Sequence, residues 1–195
     1  MMNKLKMCFL SAVLMTVSSP LMAAWTLDNS ASQINFLSTK KSQITELHKF
    51  DTLSGKLSDS GQATISIDLT SVNTSIEIRD QRMQKFLFKT EQFATAELTA
   101  KLSAEQYRTL AVGESKNIEF DASLSLHGQT QSLNIKAVVF KTNQGDLVVN
   151  ARQPVLINAA DFALVAGLNK LQELAALPSI TQTVPVTFNL TFKQK

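Results

Sequence analysis

The chain contains two histidines, and each has a polar partner two residues away. Glu46-Leu-His48 would set a carboxylate and an imidazole on one face of a strand, within reach of a single ligand. Ser125-Leu-His127 would do the same for a hydroxyl and a base. Neither pattern is specific, because every strand repeats its facing side chains at this spacing and a zinc site needs three or four ligands. A solvated or hydrogen-bonded histidine is the expectation at both positions, with no catalytic and no metal-binding residue assigned. There is no GxSxG, CxxC, HExxH or glycine-rich phosphate loop, and the six glycines are scattered singly. One charged corner remains, Arg79, Asp80, Arg82 and Lys85. It reads either as a solvated helix face with weak ion pairs or as an arginine placed to meet a ligand's polar head group.

The elements that must position these residues are mostly strands. Ala63, Ile65, Ile67 and Leu69 alternate with Thr64, Ser66 and Asp68, the two-residue repeat of a half-buried strand. The rhythm returns at Ile118 to Leu126, Leu133 to Val139 and Val184 to Phe192, and more weakly at Ile34 and Phe36, Ala96 to Leu102 and Leu147 to Ala151. About eight strands follow. Asp59-Ser-Gly61, Leu126-His-Gly128-Gln and Asn143-Gln-Gly145-Asp146 supply the positive-φ residues of hairpins. No long helix separates successive strands, which excludes a parallel α/β sheet and leaves an all-β sandwich or closed antiparallel barrel.

Three short helical islands interrupt this pattern. Ser103-Ala-Glu-Gln106 is a capping box, and Leu164, Leu168, Leu171 and Ala175 form an apolar stripe ended by Pro178. In the third, Asp80 reads as the cap, with Met83, Phe86 and Leu87 on one helical face. Each reads as a flap on a barrel end, within a single domain.

The first 23 residues have the form of a secretory signal peptide: Lys4 and Lys6, an apolar run from Cys8 to Val17 too short to span a bilayer, then Pro20 and small residues. Residues 24–195 would be the mature, periplasmic domain. Two of the 19 basic residues leave with the leader and all 16 acidic ones stay, which brings the mature chain close to neutrality. It has no basic cluster for nucleic acid. It also retains no cysteine, so an ordinary apolar core has to hold it together.

Over nearly the whole mature chain, the segments "WTLDNSASQINF", "LHKFDTLSGKL", "IDLTSVNTSIEIRDQRMQKFLFKTEQFATAELTAKL" and "LSLHGQTQSLNIKAVV" resemble the YceI-like family. Ser75 to Phe93, with Arg79-Asp80, and Leu124 to Thr130 carry the most specific part of the resemblance. This chain departs from the usual pattern at Ala31-Ser32, Arg82-Met83 and Ala160-Asp161-Phe162-Ala163, positions that bear on head-group contacts and pocket shape. The resemblance implies an extended eight-stranded lipocalin-like β-barrel with short helices at its ends and loops. It also implies an elongated apolar cavity that holds a polyisoprenoid, an isoprenoid quinone or a related long-chain amphiphile as guest, for carriage, storage or sequestration. No other cofactor is implied.

The residues themselves agree with a hollow interior. Inward positions mix bulky Phe120 and Phe188 with Ala63, Ala96, Ala100, Ala122 and Ala137, which leaves room along one wall. An isoprenoid tail filling that room would gain on the order of 10 kcal/mol at about 25 cal/mol per Å², before ordering costs. The expected ligand-binding residues are Phe36, Ile65, Ile67, Leu98, Phe120, Leu124 and Phe188 along the wall. Arg79 is expected at the mouth, with Met83, Phe86, Leu87, Phe88 and Phe93 as a plug. Besides the long-chain lipid, an inner-membrane or envelope protein is a further expected partner. The alternatives are a lipid-modifying enzyme using His48 or His127, and a non-lipid envelope interaction module with a filled core and an exposed apolar patch.

Overall fold

The structure, a computed structural model, describes residues 23–194; the expected leader lies outside them except for Ala23. Twelve strands form one antiparallel sheet: β1 (Ala23–Leu27), β2 (Gln33–Lys40), β3 (Ile44–Phe50), β4 (Leu53–Ser58), β5 (Gln62–Asp68), β6 (Val72–Asn73), β7 (Thr95–Lys101), β8 (Ser115–Leu126), β9 (Gln129–Lys141), β10 (Leu147–Ala151), β11 (Val155–Asn158) and β12 (Thr183–Gln194). Eight of them close a ring in the order β1-β4-β5-β7-β8-β9-β10-β12, completed by Trp25↔Gln194 and Leu27↔Phe192 between β12 and β1. Closure removes the sheet edges that would otherwise invite strand addition.

The extra strands come from breaks and an extension. The carboxyl half of β12 sits in the ring, whereas its amino half continues upward between β2 (Val186↔Phe36) and β11 (Val186↔Val155), with β3 and β6 beyond β2. A 3-10 turn at Asn29–Ala31, capped by the Asp28 carboxylate on the Ser30 N–H, separates β1 from β2. Pro154, which has no N–H to give a ladder, lies in the break between β10 and β11. The β8–β9 hairpin closes on His127 (φ 51°) and Gly128 (φ 74°), two positive-φ residues as the tight hairpin loop requires.

The helices sit at the two ends. Helix α2 (Ala104–Tyr107) is opened by the capping box, Ser103 N–H donating to Gln106 Oε1 at 2.7 Å, and closes the lower end. At the upper end α1 (Glu77–Arg82) runs into a π-helical turn, Met83–Phe88, and α3 (Val165–Leu174) lies across it. Asp80 is not the cap of α1, which begins three residues earlier. Its carboxylate instead accepts from the Thr74 N–H at 2.9 Å and from the Thr74 hydroxyl, tying the helix to the chain just before it.

Gly167 sets how closely α3 sits on that turn. A Cβ there would lie 2.6 Å from the Phe86 carbonyl oxygen and 2.8 Å from Leu87 Cα, both backbone atoms that cannot swing aside. Gly167→Ala is therefore expected to push α3 off the π-helical turn and to cost about 1–3 kcal/mol, the usual penalty of overpacking. A lowered thermal midpoint with the far-UV dichroism of the barrel retained would show this; an unchanged midpoint would show that the two backbones separate freely.

The candidate functional site: an apolar cavity closed at both ends

Inside the barrel lies a cavity of about 230 Å³. That exceeds the roughly 150 Å³ of apolar void known to stay dry and to accept benzene-sized guests. Every side chain lining it is apolar or aromatic, with the Tyr107 hydroxyl as the sole polar group among them. The sheet register shows why the space stays open. Ala63 pairs with Ala100, so two neighbouring strands present a row of methyl groups to the cavity at one level, while Ala122 beyond them is buried in packing and off the lining. Bulky residues flank them: Ile65, Leu98 and Leu124 at the level above, Leu102 and Phe120 below, and Leu57 beside Ala63 at the same level. Ile67, Leu98, Phe120 and Phe188 face inward yet are only half-buried, because their inner surfaces look onto the unfilled space.

The floor is rigid. Trp25 and Tyr107 meet edge-to-face, centroids 5.5 Å apart, and the Trp25 indole donates to the Gly145 carbonyl. The Tyr107 hydroxyl donates to the Ser58 carbonyl at 3.3 Å, and burial holds its ionisation above the ordinary tyrosine value. The roof is built from Met83, Leu87 and Phe88 of the π-helical turn and from Leu164 and Leu168 at and within α3. Phe88 packs on Phe50, and Phe50 on Phe36, which joins the roof to the wall.

Ten of the thirteen side chains expected at the wall, mouth and plug surround the cavity: Phe36, Ile65, Ile67, Met83, Leu87, Phe88, Leu98, Phe120, Leu124 and Phe188. Three do not. Phe86 points away because the turn is π-helical: the longer i→i+5 repeat brings Leu87 and Phe88, rather than Phe86, under Met83. Its ring instead lies beneath Lys85 Nζ. Phe93 stacks on His127, centroids 4.7 Å apart, and covers Gly128. Arg79 lies outside the cavity, where Nε donates to Thr74 Oγ1 at 2.8 Å, Nη2 to the Thr74 carbonyl at 2.6 Å and Nη1 to Glu46 Oε2 at 2.9 Å. Sequence reasoning also omitted Leu164, Leu168, Tyr107 and Phe192 from the lining; the α3 stripe was the signal for the first two, and only the barrel's closure brings in the others.

The histidines take different places. His127 is buried and holds the Phe162 carbonyl through Nδ1 at 3.2 Å, pinning the β8–β9 turn to the segment before α3. Ser125 is exposed, so no Ser–His pair forms. His48 is neither solvated nor hydrogen-bonded through Nδ1: the residue is 4% exposed and that nitrogen has no partner. It stands edge-on to Phe36, centroids 5.3 Å apart. Glu46, expected to share a ligand with it, is instead held by Lys40 at 2.8 Å and by Arg79, which keeps its carboxyl below the ordinary glutamate range, the Lys40 hydrogen bond contributing most. Among the described residues no three metal-ligating side chains converge.

A closed antiparallel barrel whose stoppered interior offers almost nothing but hydrocarbon defines the class of lipocalin-like barrels with an enclosed apolar cavity. The chain belongs to the YceI-like domain family, whose model matches residues 25–192. It is similar to the solved structure of a polyisoprenoid binding domain from Saccharophagus degradans implicated in plant cell wall breakdown, with 39% identity, 89% of this chain and 100% of that one covered, and a TM-score of 0.87. BcnA of Burkholderia cenocepacia (16% identity, 85% and 98% covered, TM-score 0.65) and the Campylobacter jejuni YCEI protein (15%, 76% and 84%, 0.53) share the fold. No curated protein matches the chain.

Burial holds the His48 imidazole below its usual pKa of 6.5, and the nearby Arg79 charge pushes the same way. The unfolded chain therefore takes up a proton that the folded chain resists. The stability contributed by neutral His48 is complete above about pH 6.5 and is lost as pH falls from there towards the folded pKa. Denaturant midpoints measured from pH 7.5 downward are expected to fall below pH 6.5 in the wild type and to stay flatter in His48→Phe. Parallel profiles would mean that His48 titrates as freely as in the unfolded chain.

Proposed function

We propose that this chain is a periplasmic binding protein that holds one long isoprenoid lipid, tail inward, in the barrel cavity for carriage, storage or sequestration. The observation that carries this reading is the cavity itself, apolar over its lining and kept open by the row of methyl groups at Ala63 and Ala100. A tail threaded past that row meets branched and aromatic side chains on all sides, and each buried methylene gains about 0.8 kcal/mol. The polyisoprenoid binding domain of Saccharophagus degradans, similar at 39% identity over its whole length, supports the isoprenoid class. The form of the first 23 residues supports export, and cleavage there would leave residues 24–195 as the working protein. Binding needs no bond-making residue, and the separation of Ser125 from His127 favours a binding role over catalysis.

Organic extraction of the protein purified from an envelope fraction, followed by mass spectrometry, is expected to release a stoichiometric isoprenoid lipid. Ala100→Phe fills the row from one side and should lower the retained lipid at least tenfold while the barrel's dichroism persists; Ala63→Leu, a smaller filling, should lower it less. Full lipid retention in a folded Ala100→Phe variant would remove the cavity from the proposal.

A further inference from the structure

The upper extension of the sheet has an edge that the fold leaves open. Strand β3 pairs with β2 along its whole length, from Lys40↔Ile44 to Ile34↔Phe50, but with β6 only at Lys49↔Asn73 and Phe50↔Val72. The Asp51 N–H donates to the Ser71 carbonyl at 3.1 Å, and backbone groups point to alternate sides along an antiparallel strand. Thr45 and Leu47 therefore aim their N–H and C=O groups away from β2, towards the β6 side. The chain after β6 does not meet them. Ser75 is left-handed (φ 63°), its N–H is held by Asn73 Oδ1, and the backbone turns off into α1. Among the described residues no backbone group bonds Thr45 or Leu47 on that side, and both residues are exposed.

The outer face beside this edge is apolar. Leu156 pairs with Pro185 and Leu37 with Leu47, and the pairing of Val186 with Phe36 sets Pro185 next to Leu37. One apolar row thus crosses four strands between polar ones, with Thr39 and Thr45 above, their hydroxyls 2.9 Å apart, and Asn35 and Lys49 below. Pro185 and Leu37 in the middle are half-buried, whereas Leu156 and Leu47 at the ends are each 63% exposed. Natural proteins blunt an edge with a proline, a bulge or an exposed lysine. Pro154 stands just before β11 at the far end of the row. On β3 the register is unbroken, and the one charge between Ile44 and His48, Glu46, is turned inward and held by Lys40 and Arg79.

Two donors and two acceptors spaced along an edge fit an extended main chain, and the row that stops at Leu47 calls for an apolar side chain on the added strand. A second copy of this chain does not supply one. The antiparallel register that sets Leu47 of one copy against Leu47 of the other drives Thr45 against Lys49, where β6 already pairs through Asn73. The registers that remain place Thr45 or Gln43 beside Leu47. We propose that the edge of β3 from Ile44 to Leu47 docks an extended segment of a different polypeptide, added antiparallel as one more strand, with an apolar side chain beside Leu47. The site is separate from the cavity and does not depend on the lipid-binding reading.

The test is amide hydrogen exchange, read residue by residue on the full mature protein. In dilute protein alone, exchange at Thr45 and Leu47 is expected to be at least about tenfold faster than at Glu46 and His48, whose N–H groups face β2. The capped peptide Thr-Leu-Thr-Leu-Thr, at saturation, should slow Thr45 and Leu47 by about tenfold. Opposite residues of an antiparallel pair share a face and exchange hydrogen bonds, so N-methylation of the peptide's leucines should weaken binding about tenfold and N-methylation of its threonines should not. Leu47→Lys, an edge charge, should weaken binding by a similar factor with the thermal midpoint and the retained lipid unchanged. Slow exchange at Thr45 and Leu47 in the dilute protein would show a covered edge and overturn the proposal. So would a parent peptide that leaves their exchange unchanged, or one that binds equally well with its leucines methylated. Protection that rises with protein concentration in the absence of peptide would assign the edge to a second copy, and would overturn it too.

Discussion

An eight-stranded ring has a circumference fixed by its hydrogen-bond ladders, and its width cannot shrink to suit whatever side chains point inward. That constraint governs the rest of the molecule. The large inward side chains gather into two clusters, around Leu57, Ile118 and Phe192 below and around Phe36, Leu124 and Phe88 above, whose inner surfaces line the cavity between them. Where Ala63 and its partner Ala100 present only methyl groups, the side chains stop short of the axis and the ladder holds the gap open. A two-layer sandwich of the same composition would close such a gap by sliding its sheets together. A hydrogen-bonded ring has no such freedom.

The two ends of the ring are built from different physics, which bears on how a guest would enter. The floor combines an aromatic edge-to-face pair with side chain-to-backbone hydrogen bonds from Trp25 and Tyr107, all within or beside the closed ring. The roof is helix on helix, carried by the upward extension of β12 outside the ring. Helix α3 buries only Gly167 and Leu168 within its length, and left-handed alanines stand near both its ends, Ala163 (φ 54°) and Ala176 (φ 49°). A non-glycine residue in that conformation costs about 1 kcal/mol or more. A segment with few buried contacts and left-handed residues near each end has lower local stability than the floor.

Much of this was legible from the residues because strand alternation reports directly which side chains face in. Phe120, Leu124 and Phe188 fall on the cavity wall by parity alone, and the alanine excess at the same parity marks the gap. The capping box at Ser103 reads straight into the helix below the floor. Legibility failed where the backbone left the regular periods. Of the plug residues, Phe86 turns away while Leu87 and Phe88 line the cavity, because a π-helical turn is invisible to a 3.6-residue count. β4 alternates Leu53, Gly55 and Leu57 with Ser54 and Lys56, but a glycine at its middle inward position leaves only two apolar side chains to mark it. Arg79 was misplaced for a different reason: its partner Glu46 lies 33 residues away, and only the fold shows that its charge is already matched.

The size of the hollow decides between an accidental packing fault and a feature with a use. Cavities in cores cost about 24 cal/mol for each Å³ left unfilled, so about 230 Å³ costs on the order of 5 kcal/mol. A single domain has only about 5–15 kcal/mol of net stability in total. Replacing one alanine of the row by leucine would remove part of that cost at no expense in solubility, since the position faces inward. An occupant that binds only the folded barrel returns the same energy by mass action, in proportion to the logarithm of its concentration over its dissociation constant. A filled barrel would therefore be more stable than an empty one, and the alanines that leave the void open are explained by an occupant better than by chance.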